Sequence, residues 1–180
     1  CAQAHRAKYK GEFVGKRGDI GVFSLNVNKS IQSGEGGVCV TTDDELAYRL
    51  ALIRNHGEAV VGPANYMNIV NMAGFNFRLT ELQAAIAREQ LRKLERLNRH
   101  RLELVEALSD RLSDHAFLHP PEGRDECEST YYVYPIRFDF ERVNITREQF
   151  VSAVNAEGAQ FYQGYVEPLY LQPLYQRQQL

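Results

Sequence analysis

The chain has 180 residues, of which 44% are hydrophobic and 24% are charged, and its formal net charge is -2. This composition is typical of a globular protein with one domain, or one domain and part of a second. The near-neutral charge argues against a nucleic-acid partner, and the apolar runs are far shorter than the ~18 residues of a membrane span. We therefore expect a cytoplasmic protein.

The cysteines and histidines indicate neither a disulfide framework nor a metal site. The three cysteines are an odd number at unrelated spacings, which is typical of reduced thiols in the cytosol. Among the five histidines, His115 and His119 are four residues apart. The two prolines that follow argue against a helix that would bring both rings onto one ion, so we predict no metal.

Two predicted strands flank a glycine-rich loop in the first quarter of the chain. Residues 1–18 are polar and predict a loop or a helix end. Residues 19–25 predict a buried strand and residues 37–41 another, while the SGEGG between them supplies positions for positive φ. Lys29 follows the first strand. The spacing leaves two interpretations open: a solvated lysine beside a hairpin, or a desolvated lysine whose neutral amine attacks a carbonyl.

Helix signals follow the second strand. Asp43 is placed to cap a helix over residues 44–55, and residues 56–75 predict a long irregular loop of a kind that is often functional. Thr80–Gln83 reads Thr-Glu-Leu-Gln, a capping-box pattern. A helix from there to about Asp114 would span about 50 Å, and a helix of that length usually connects two bodies.

The last third predicts a small α/β unit. Residues 130–138, TYYVYPIRF, are aromatic and β-branched and predict a strand. A second capping box at Thr146 predicts a helix to about Glu157, with Gly158 as its stop. Residues 159–162 predict one more strand.

Two long segments resemble the DegT/DnrJ/EryC1/StrS family of pyridoxal-phosphate (PLP) sugar aminotransferases. They are AQAHRAKYKGEFVGKRGDIGVFSLNVNKSIQSGEGG and GFNFRLTELQAAIAREQLRKL. The resemblance runs from Cys1 to about Leu97 and resumes weakly at EPLYLQPLYQ. It implies an α/β, aspartate-aminotransferase-like fold (fold type I). Residues 1–80 would be part of the large PLP-binding domain, residues 81–114 a connecting helix, and residues 115–180 part of a small α/β C-terminal domain.

The resemblance also implies a cofactor site. Lys29 matches the lysine that binds PLP covalently, and Ser24 matches the serine that binds the cofactor phosphate. Gln3 matches the residue beside the pyridine ring. Asn76 matches a residue that reaches from the partner subunit toward the phosphate, so a homodimer would share its active sites. Plainer alternatives remain: Ser24 bonding only to backbone, Gln3 on the surface, and Asn76 stabilising the turn before Thr80.

The implied reaction transfers an amino group from glutamate or glutamine to a keto sugar, with a nucleotide-linked sugar preferred over the alternative, an inosose of an aminocyclitol pathway. Family members with histidine in place of the lysine are sugar dehydratases, so Lys29 favours transamination. The same lysine argues against a second alternative, a non-catalytic homologue that keeps the fold.

The resemblance finally implies that family segments are missing at both ends of this chain. Phosphate-binding segments would precede Cys1, and the last elements of the small domain would follow Leu180. In the family an acid lies three residues before the Gln3 position, where it holds the proton of the pyridine nitrogen. We therefore expect Asp immediately before Cys1.

Overall fold

The computed structural model describes residues 1–58 and 72–177, which form two compact units. The first contains the described residues of Cys1–Arg111 together with Pro121–Pro135. The second contains those of Leu112–Pro120 and Ile136–Leu180. The chain therefore returns to the first unit after its long helix. Most of the loop predicted over residues 56–75 lies outside the described residues, and the domain boundaries proposed above stay a prediction.

A small antiparallel sheet opens the first unit. Strand β1 (Lys8–Tyr9) pairs with β2 (Glu12–Phe13) on one side and with β6 (Cys127–Glu128) on the other. The prediction of a loop or helix end over residues 1–18 is wrong here. Lys10 and Gly11 have φ of 50° and 78°, and two consecutive left-handed residues are what a tight two-residue hairpin turn requires.

The two strands predicted around the glycine-rich loop are present as an antiparallel pair. Strand β3 (Gly21–Ser24) pairs with β4 (Gly37–Val40), with Ser24 opposite Gly37. The prediction that the first strand is buried is wrong, since Val22 keeps 51% of its surface exposed. Side chains alternate along a strand, and in this pair one face stays open.

The predicted helices of the first unit are confirmed with their caps. Helix α1 (Asp44–Arg54) begins after Asp43, whose carboxylate accepts the N–H of Leu46 at 2.9 Å. Helix α2 runs over Glu81–Ser113, 33 residues in all. Its capping box is formed as predicted, because Thr80 and Gln83 each accept the other's backbone N–H, at 3.3 and 3.2 Å.

The core that matters for the site is small. Leu25 and Ile31, on either side of the Lys29 position, are buried together with Leu94 of α2, and Ala87 of the same helix packs against them. Burying an aliphatic side chain of this size contributes about 2 kcal/mol. The loop between β3 and β4 is thus held against one face of α2.

The second unit contains the remaining elements. Strand β5 (Leu118–His119) pairs antiparallel with β7 (Arg137–Phe138). Helix α3 (Arg147–Ala156) begins with the predicted capping box, and Gly158 follows it with φ of 94°. A short helix α4 (Pro173–Arg177), which the sequence analysis did not predict, lies near the end of the described chain.

Two strand predictions in the last third are wrong. Of residues 130–138, only Arg137–Phe138 form a strand. Tyr131 has φ of 46°, in the left-handed region, and Pro135 has no N–H to give to a neighbouring strand. No strand forms over residues 159–162. The side chain of Asn155 accepts the N–H of Phe161 at 2.6 Å and donates to its carbonyl at 3.1 Å, so neither backbone group is left to pair with a neighbouring strand.

Candidate active site

The backbone around Lys29 is fixed by a short hydrogen-bonded turn. The N–H of Lys29 donates to the carbonyl of Asn26 at 2.9 Å, and the N–H of Asn28 donates to the side-chain oxygen of Asn26 at 3.1 Å. The amide of Asn26 also donates to Glu35 across the loop at 2.8 Å. An asparagine that bonds the backbone two residues on is a stable turn element, so Lys29 starts from a defined position.

The glycine-rich side of the loop closes on β3 and on α2. The N–H of Leu25 donates to the carbonyl of Gly36, and that of Ser33 donates to the carbonyl of Leu25, both at 2.9 Å. The amide of Gln83, in the first turn of α2, donates to the carbonyl of Glu35 at 3.0 Å. Gly36 has φ of 143°, which a residue with a Cβ rarely adopts.

The ε-amine of Lys29 lies against an aromatic ring. Its Nζ is 4.7 Å from the ring centroid of Tyr132 and 3.5 Å from the hydroxyl of the same residue. The Lys29 side chain is half-buried, and among residues 1–58 and 72–177 no ion pair includes it. An amine that is not committed to a carboxylate is available to bind an aldehyde.

Arg101 of α2 connects the two segments that meet at this amine. Its Nη1 donates to the hydroxyl of Ser30 at 3.3 Å, to the side-chain oxygen of Asn98 at 2.9 Å and to the carbonyl of Thr130 at 3.3 Å. Ser30 is next to Lys29 in the chain, and Thr130 is two residues before Tyr132. One guanidinium therefore sets the spacing between the loop and the tyrosine segment.

A buried histidine links the start of the chain to β3. His5 is 4% exposed, its Nε2 donates to the carbonyl of Ser24 at 2.9 Å, and its own carbonyl accepts from Asn98 at 3.1 Å. Burial lowers the pKa of His5 below its usual value and outweighs the bond to Ser24, which raises it, while the charge of Lys29 lowers it further. The ring is therefore neutral, with Nδ1 unprotonated.

The structure brings the segments of three predicted residues together. Gln3 lies two residues before His5 and is half-buried, Ser24 ends β3, and Lys29 follows in the next turn. The Ser24 oxygen accepts the N–H of Asn26 at 3.2 Å. That bond uses only a lone pair, and among the described residues no acceptor is bonded to the hydroxyl proton of Ser24, so the hydroxyl could donate to an anion.

Asn76 is held elsewhere, beside the end of α1. It forms an isolated antiparallel bridge with Asn55, and its neighbours Phe75 and Phe77 donate N–H groups to the carbonyls of Ile53 and Arg54 at 2.8 and 3.0 Å. Its side chain is exposed. Within the described part of the chain, no hydrogen bond joins Asn76 to Lys29.

A cavity of about 570 Å³ in the first unit contains none of the predicted site residues. Its lining is mostly aliphatic and aromatic and comes from β3, β4 and α2, for example Phe23, Val38 and Leu91. It lacks a lysine or hydroxyl that could take part in the predicted chemistry, so it is not the candidate active site.

The described residues form neither a metal-binding cluster nor a membrane-spanning helix. They contain no group of three or more His, Cys, Asp or Glu side chains placed to hold a metal ion. No helix among them has both the length and the apolar composition to cross a membrane.

The residues present fit PLP by their chemistry. Lys29 supplies an amine that pairs with no described carboxylate and could bind the aldehyde, and Ser24 supplies a hydroxyl donor for the phosphate. Sequence reasoning missed Tyr132, Arg101 and His5. The TYYVY segment has the composition of a strand, Arg101 is one of many basic residues on α2, and His5 has no spacing signal.

Known structures place the fold in one class. The chain superposes on DesV of S. venezuelae, solved in complex with ketimine intermediate, with a TM-score of 0.83 and 29% identity over 98% of this chain and 44% of that one. It superposes on Helicobacter pylori PseC, an aminotransferase of pseudoaminic acid biosynthesis, with a TM-score of 0.78 and 28% identity over 95% of this chain and 45% of that one. The fold is that of part of a fold-type I PLP sugar aminotransferase, which confirms the predicted fold class.

The chain belongs to the DegT/DnrJ/EryC1/StrS aminotransferase family, whose model matches residues 1–180. It is 37% identical to the L-glutamine:2-deoxy-scyllo-inosose aminotransferase of Streptomyces kanamyceticus over 74% of this chain and 33% of that protein. It is 26% identical to the spore coat polysaccharide biosynthesis protein SpsC of Bacillus subtilis over 99% of this chain and 47% of that protein. The chain therefore spans less than half of these relatives.

Proposed function

We propose that the protein is a PLP-dependent aminotransferase that moves an amino group from glutamine or glutamate to the keto group of a sugar or cyclitol. The observation that carries the proposal is the ε-amine of Lys29, half-buried after β3, 4.7 Å from an aromatic centroid and paired with no described carboxylate. PLP, when bound, supplies an electron sink for the carbon that loses its proton.

The residues of the chain would bind and orient that group. Lys29 would hold the cofactor aldehyde and carry a proton at Nζ as general base and acid. Ser24 would donate its hydroxyl proton to the phosphate, and Gln3 would contact the pyridine ring. His5, neutral and bonded to the Ser24 carbonyl, keeps the Gln3 segment against β3.

The cofactor assignment is tested by trapping. The purified protein is mixed with PLP, reduced with borohydride, digested and sequenced by mass spectrometry. We expect phosphopyridoxyl on Lys29 and none on the exposed Lys16, and Lys29→Ala should abolish both the label and turnover while Lys16→Ala keeps them. A phosphopyridoxyl group on another lysine would refute the assignment.

We propose two candidate classes of acceptor substrate. The family resemblance puts nucleotide-linked keto sugars first. Inososes are the second class, supported by relatives of 34–38% identity that are named as glutamine:inosose aminotransferases. Incubating both classes of acceptor with glutamine and with glutamate, and measuring the amino product, separates the two. Lys29 disfavours a dehydratase, whose characteristic outcome in the same assay is loss of water with no amino product.

We also propose that the protein is a homodimer that shares its active sites through Asn76. Exposed apolar side chains flank Asn76 in the chain: Phe75 is 55% exposed and Phe77 64%. The two phenylalanine rings stack at 5.1 Å, so they present one flat apolar face that a second copy would cover.

A complementation experiment tests the shared site. Mixed dimers of a Lys29→Ala subunit and an Asn76→Ala subunit contain one composite site that is intact at both positions. Activity should partly return in them. If verified mixed dimers stay inactive while each parent dimer is folded, Asn76 serves the site of its own subunit or only the backbone bridge to Asn55.

A further inference from the structure

We infer that His5 is a positioning residue that holds the peptide unit after Ser24 and so fixes the hydroxyl that would bind the cofactor phosphate. This inference rests on the proposed function, since that function gives the Ser24 hydroxyl a phosphate as its acceptor. It goes further in naming a second residue on which the affinity for the phosphate depends.

The imidazole of His5 forms one hydrogen bond within the described part of the chain, and that bond is to Ser24. Nε2 donates to the Ser24 carbonyl at 2.9 Å, a distance typical of an N–H···O bond. The other ring nitrogen, Nδ1, is buried and has no hydrogen-bond partner among residues 1–58 and 72–177. Because a carbonyl only accepts, Nε2 carries the ring proton. Any effect of the ring's polar groups on the site is therefore expected to act through Ser24.

The Ser24 carbonyl depends on His5 because β4 does not pair with it. The N–H of Leu25 donates to the carbonyl of Gly36, which makes Ser24 and the opposite residue Gly37 a non-hydrogen-bonded pair. The Ser24 carbonyl consequently points away from β4, and His5 donates to it there.

The peptide unit between Ser24 and Leu25 is thus held from both sides. Its carbonyl accepts from His5 and its N–H donates to Gly36, both at 2.9 Å. The Oγ atom of Ser24 also accepts the N–H of Asn26 at 3.2 Å. These bonds together fix the position of Oγ.

His5 is itself fixed by packing and by α2. The residue is 4% exposed, and its ring centroid lies 5.6 Å from that of Phe23. Its carbonyl accepts from Asn98 at 3.1 Å, and Asn98 is 5% exposed. A side chain that is locked by packing and by hydrogen bonds can hold its partner within the ~0.5 Å that a binding site requires.

The experiment separates phosphate binding from binding of the aldehyde. Pyridoxal has the same aldehyde as PLP and lacks the phosphate. The purified protein, freed of cofactor, is titrated with PLP or with pyridoxal and reduced with borohydride. The labelled Lys29 peptide is then quantified by mass spectrometry, which gives the concentration of each aldehyde that half-saturates the label.

Five variants are compared with the unchanged protein. His5→Phe and His5→Met lack the donor, whereas His5→Gln keeps an N–H of similar reach. Ser24→Ala lacks the hydroxyl. Leu52→Ala is the control for a loss of stability elsewhere in the first unit, since Leu52 of α1 is 3% exposed. Circular dichroism selects the variants that fold, and either His5→Phe or His5→Met is sufficient for the test.

In Ser24→Ala, we expect the half-saturating PLP concentration to rise about tenfold, as for the loss of a hydrogen bond to a charged group. His5→Phe and His5→Met should raise it about fivefold, because the hydroxyl is present but no longer held in place. His5→Gln and Leu52→Ala should stay within about twofold of the unchanged protein. The half-saturating pyridoxal concentration should change by less than about twofold in every variant, since pyridoxal has no phosphate for Ser24 to bind.

A double variant tests whether the two residues act on one contact. His5→Met combined with Ser24→Ala should need no more PLP than Ser24→Ala alone. Losses that add in the double variant would overturn the inference, because they would mean that His5 and Ser24 act independently.

Three other results would also overturn it. Equal weakening of PLP and pyridoxal in His5→Phe or His5→Met would mean that His5 supports Lys29 or the fold in general. An unchanged PLP titration in these variants would mean that the bond to Ser24 has no effect on the phosphate. A loss in His5→Gln as large as that in His5→Met would mean that the N–H is not the group that matters.

The outcome is distinguishable from failure of the proposed function. Absence of label on Lys29 with both aldehydes in the unchanged protein refutes the proposed function. Label on Lys29 with the same preference for PLP over pyridoxal in the unchanged protein and in His5→Met refutes only the role of His5.

Discussion

Replacing Arg101 by methionine should destabilise the protein, because Arg101 donates hydrogen bonds to two buried acceptors that methionine would leave without a donor. The guanidinium donates to the Asn98 side-chain oxygen at 2.9 Å and to the Thr130 carbonyl at 3.3 Å, and Asn98 and Thr130 are 5% and 7% exposed. Methionine keeps much of the aliphatic stem but offers no N–H. Both oxygens then lose their donor where little water reaches them.

The expected loss follows from the cost of a buried polar atom without a partner, about 1–3 kcal/mol each. The short bond to Asn98 corresponds to the upper end of this range and the longer bond to Thr130 to its lower end, which together give about 4 kcal/mol. The loss of unfolding free energy in Arg101→Lys should be smaller than in Arg101→Met but still measurable, since one ammonium cannot reproduce a planar guanidinium that reaches three acceptors.

Urea denaturation followed by circular dichroism measures the loss, with Arg99→Met as the matched control on the same helix. Arg99 has a side chain 71% exposed and a 3.8 Å ion pair with Glu95, so its replacement should cost less than about 0.5 kcal/mol. The reasoning fails if Arg101→Met and Arg99→Met unfold at the same urea concentration.

Three further outcomes are expected. Gly36→Ala should lower the unfolding free energy by about 1–3 kcal/mol in the same denaturation assay. The reason is that φ of Gly36 is 143° and an added Cβ would lie 2.8 Å from the Leu79 side chain. Gly123→Ala is the control and should change the unfolding free energy little, because an added Cβ there would have no atom within 4 Å. Leu94→Ala should cost about 2–5 kcal/mol, since Leu94 is 2% exposed; a loss below 1 kcal/mol would contradict the core described above. Stability should fall as the pH drops below the reference pKa of about 6.5, because His5 takes up a proton more readily when unfolded than when buried. Denaturation at several pH values should show a shallower fall in His5→Gln, and an unchanged slope would contradict the effect.

Local signals were sufficient for the helix N-termini and for the strands beside the glycine-rich loop. Both capping boxes form as the sequence predicts, at Thr80 and Thr146, because the side chains that satisfy the helix N-terminus are three residues apart in the chain. The two strands on either side of the glycine-rich loop were also predictable, since short apolar runs bounded by glycines are a local strand signal.

The wrong prediction for residues 130–138 falls where distant groups decide. TYYVY has the composition of a strand, yet Arg101 fixes Thr130 and Ser109 contacts Tyr134, and the chain between follows an irregular path. Residues 159–162 lose their strand to a nearer group, the side chain of Asn155, which lies six positions before Phe161. Propensity describes a residue in an average environment, and a specific hydrogen bond outweighs it.

The sequence by itself determined the family, because two long segments resemble it along the chain. That resemblance pointed to Lys29, since the spacing around the lysine left two interpretations open. Only the tertiary structure decided which side chain lies beside the ε-amine of Lys29. Tyr132 lies 103 positions away from Lys29 in the chain, and no spacing rule connects them. Their contact depends on Arg101 donating to both segments from α2 and on the Leu25, Ile31 and Leu94 core that holds the loop there. Such a contact is set by packing between elements, which the order of residues does not record.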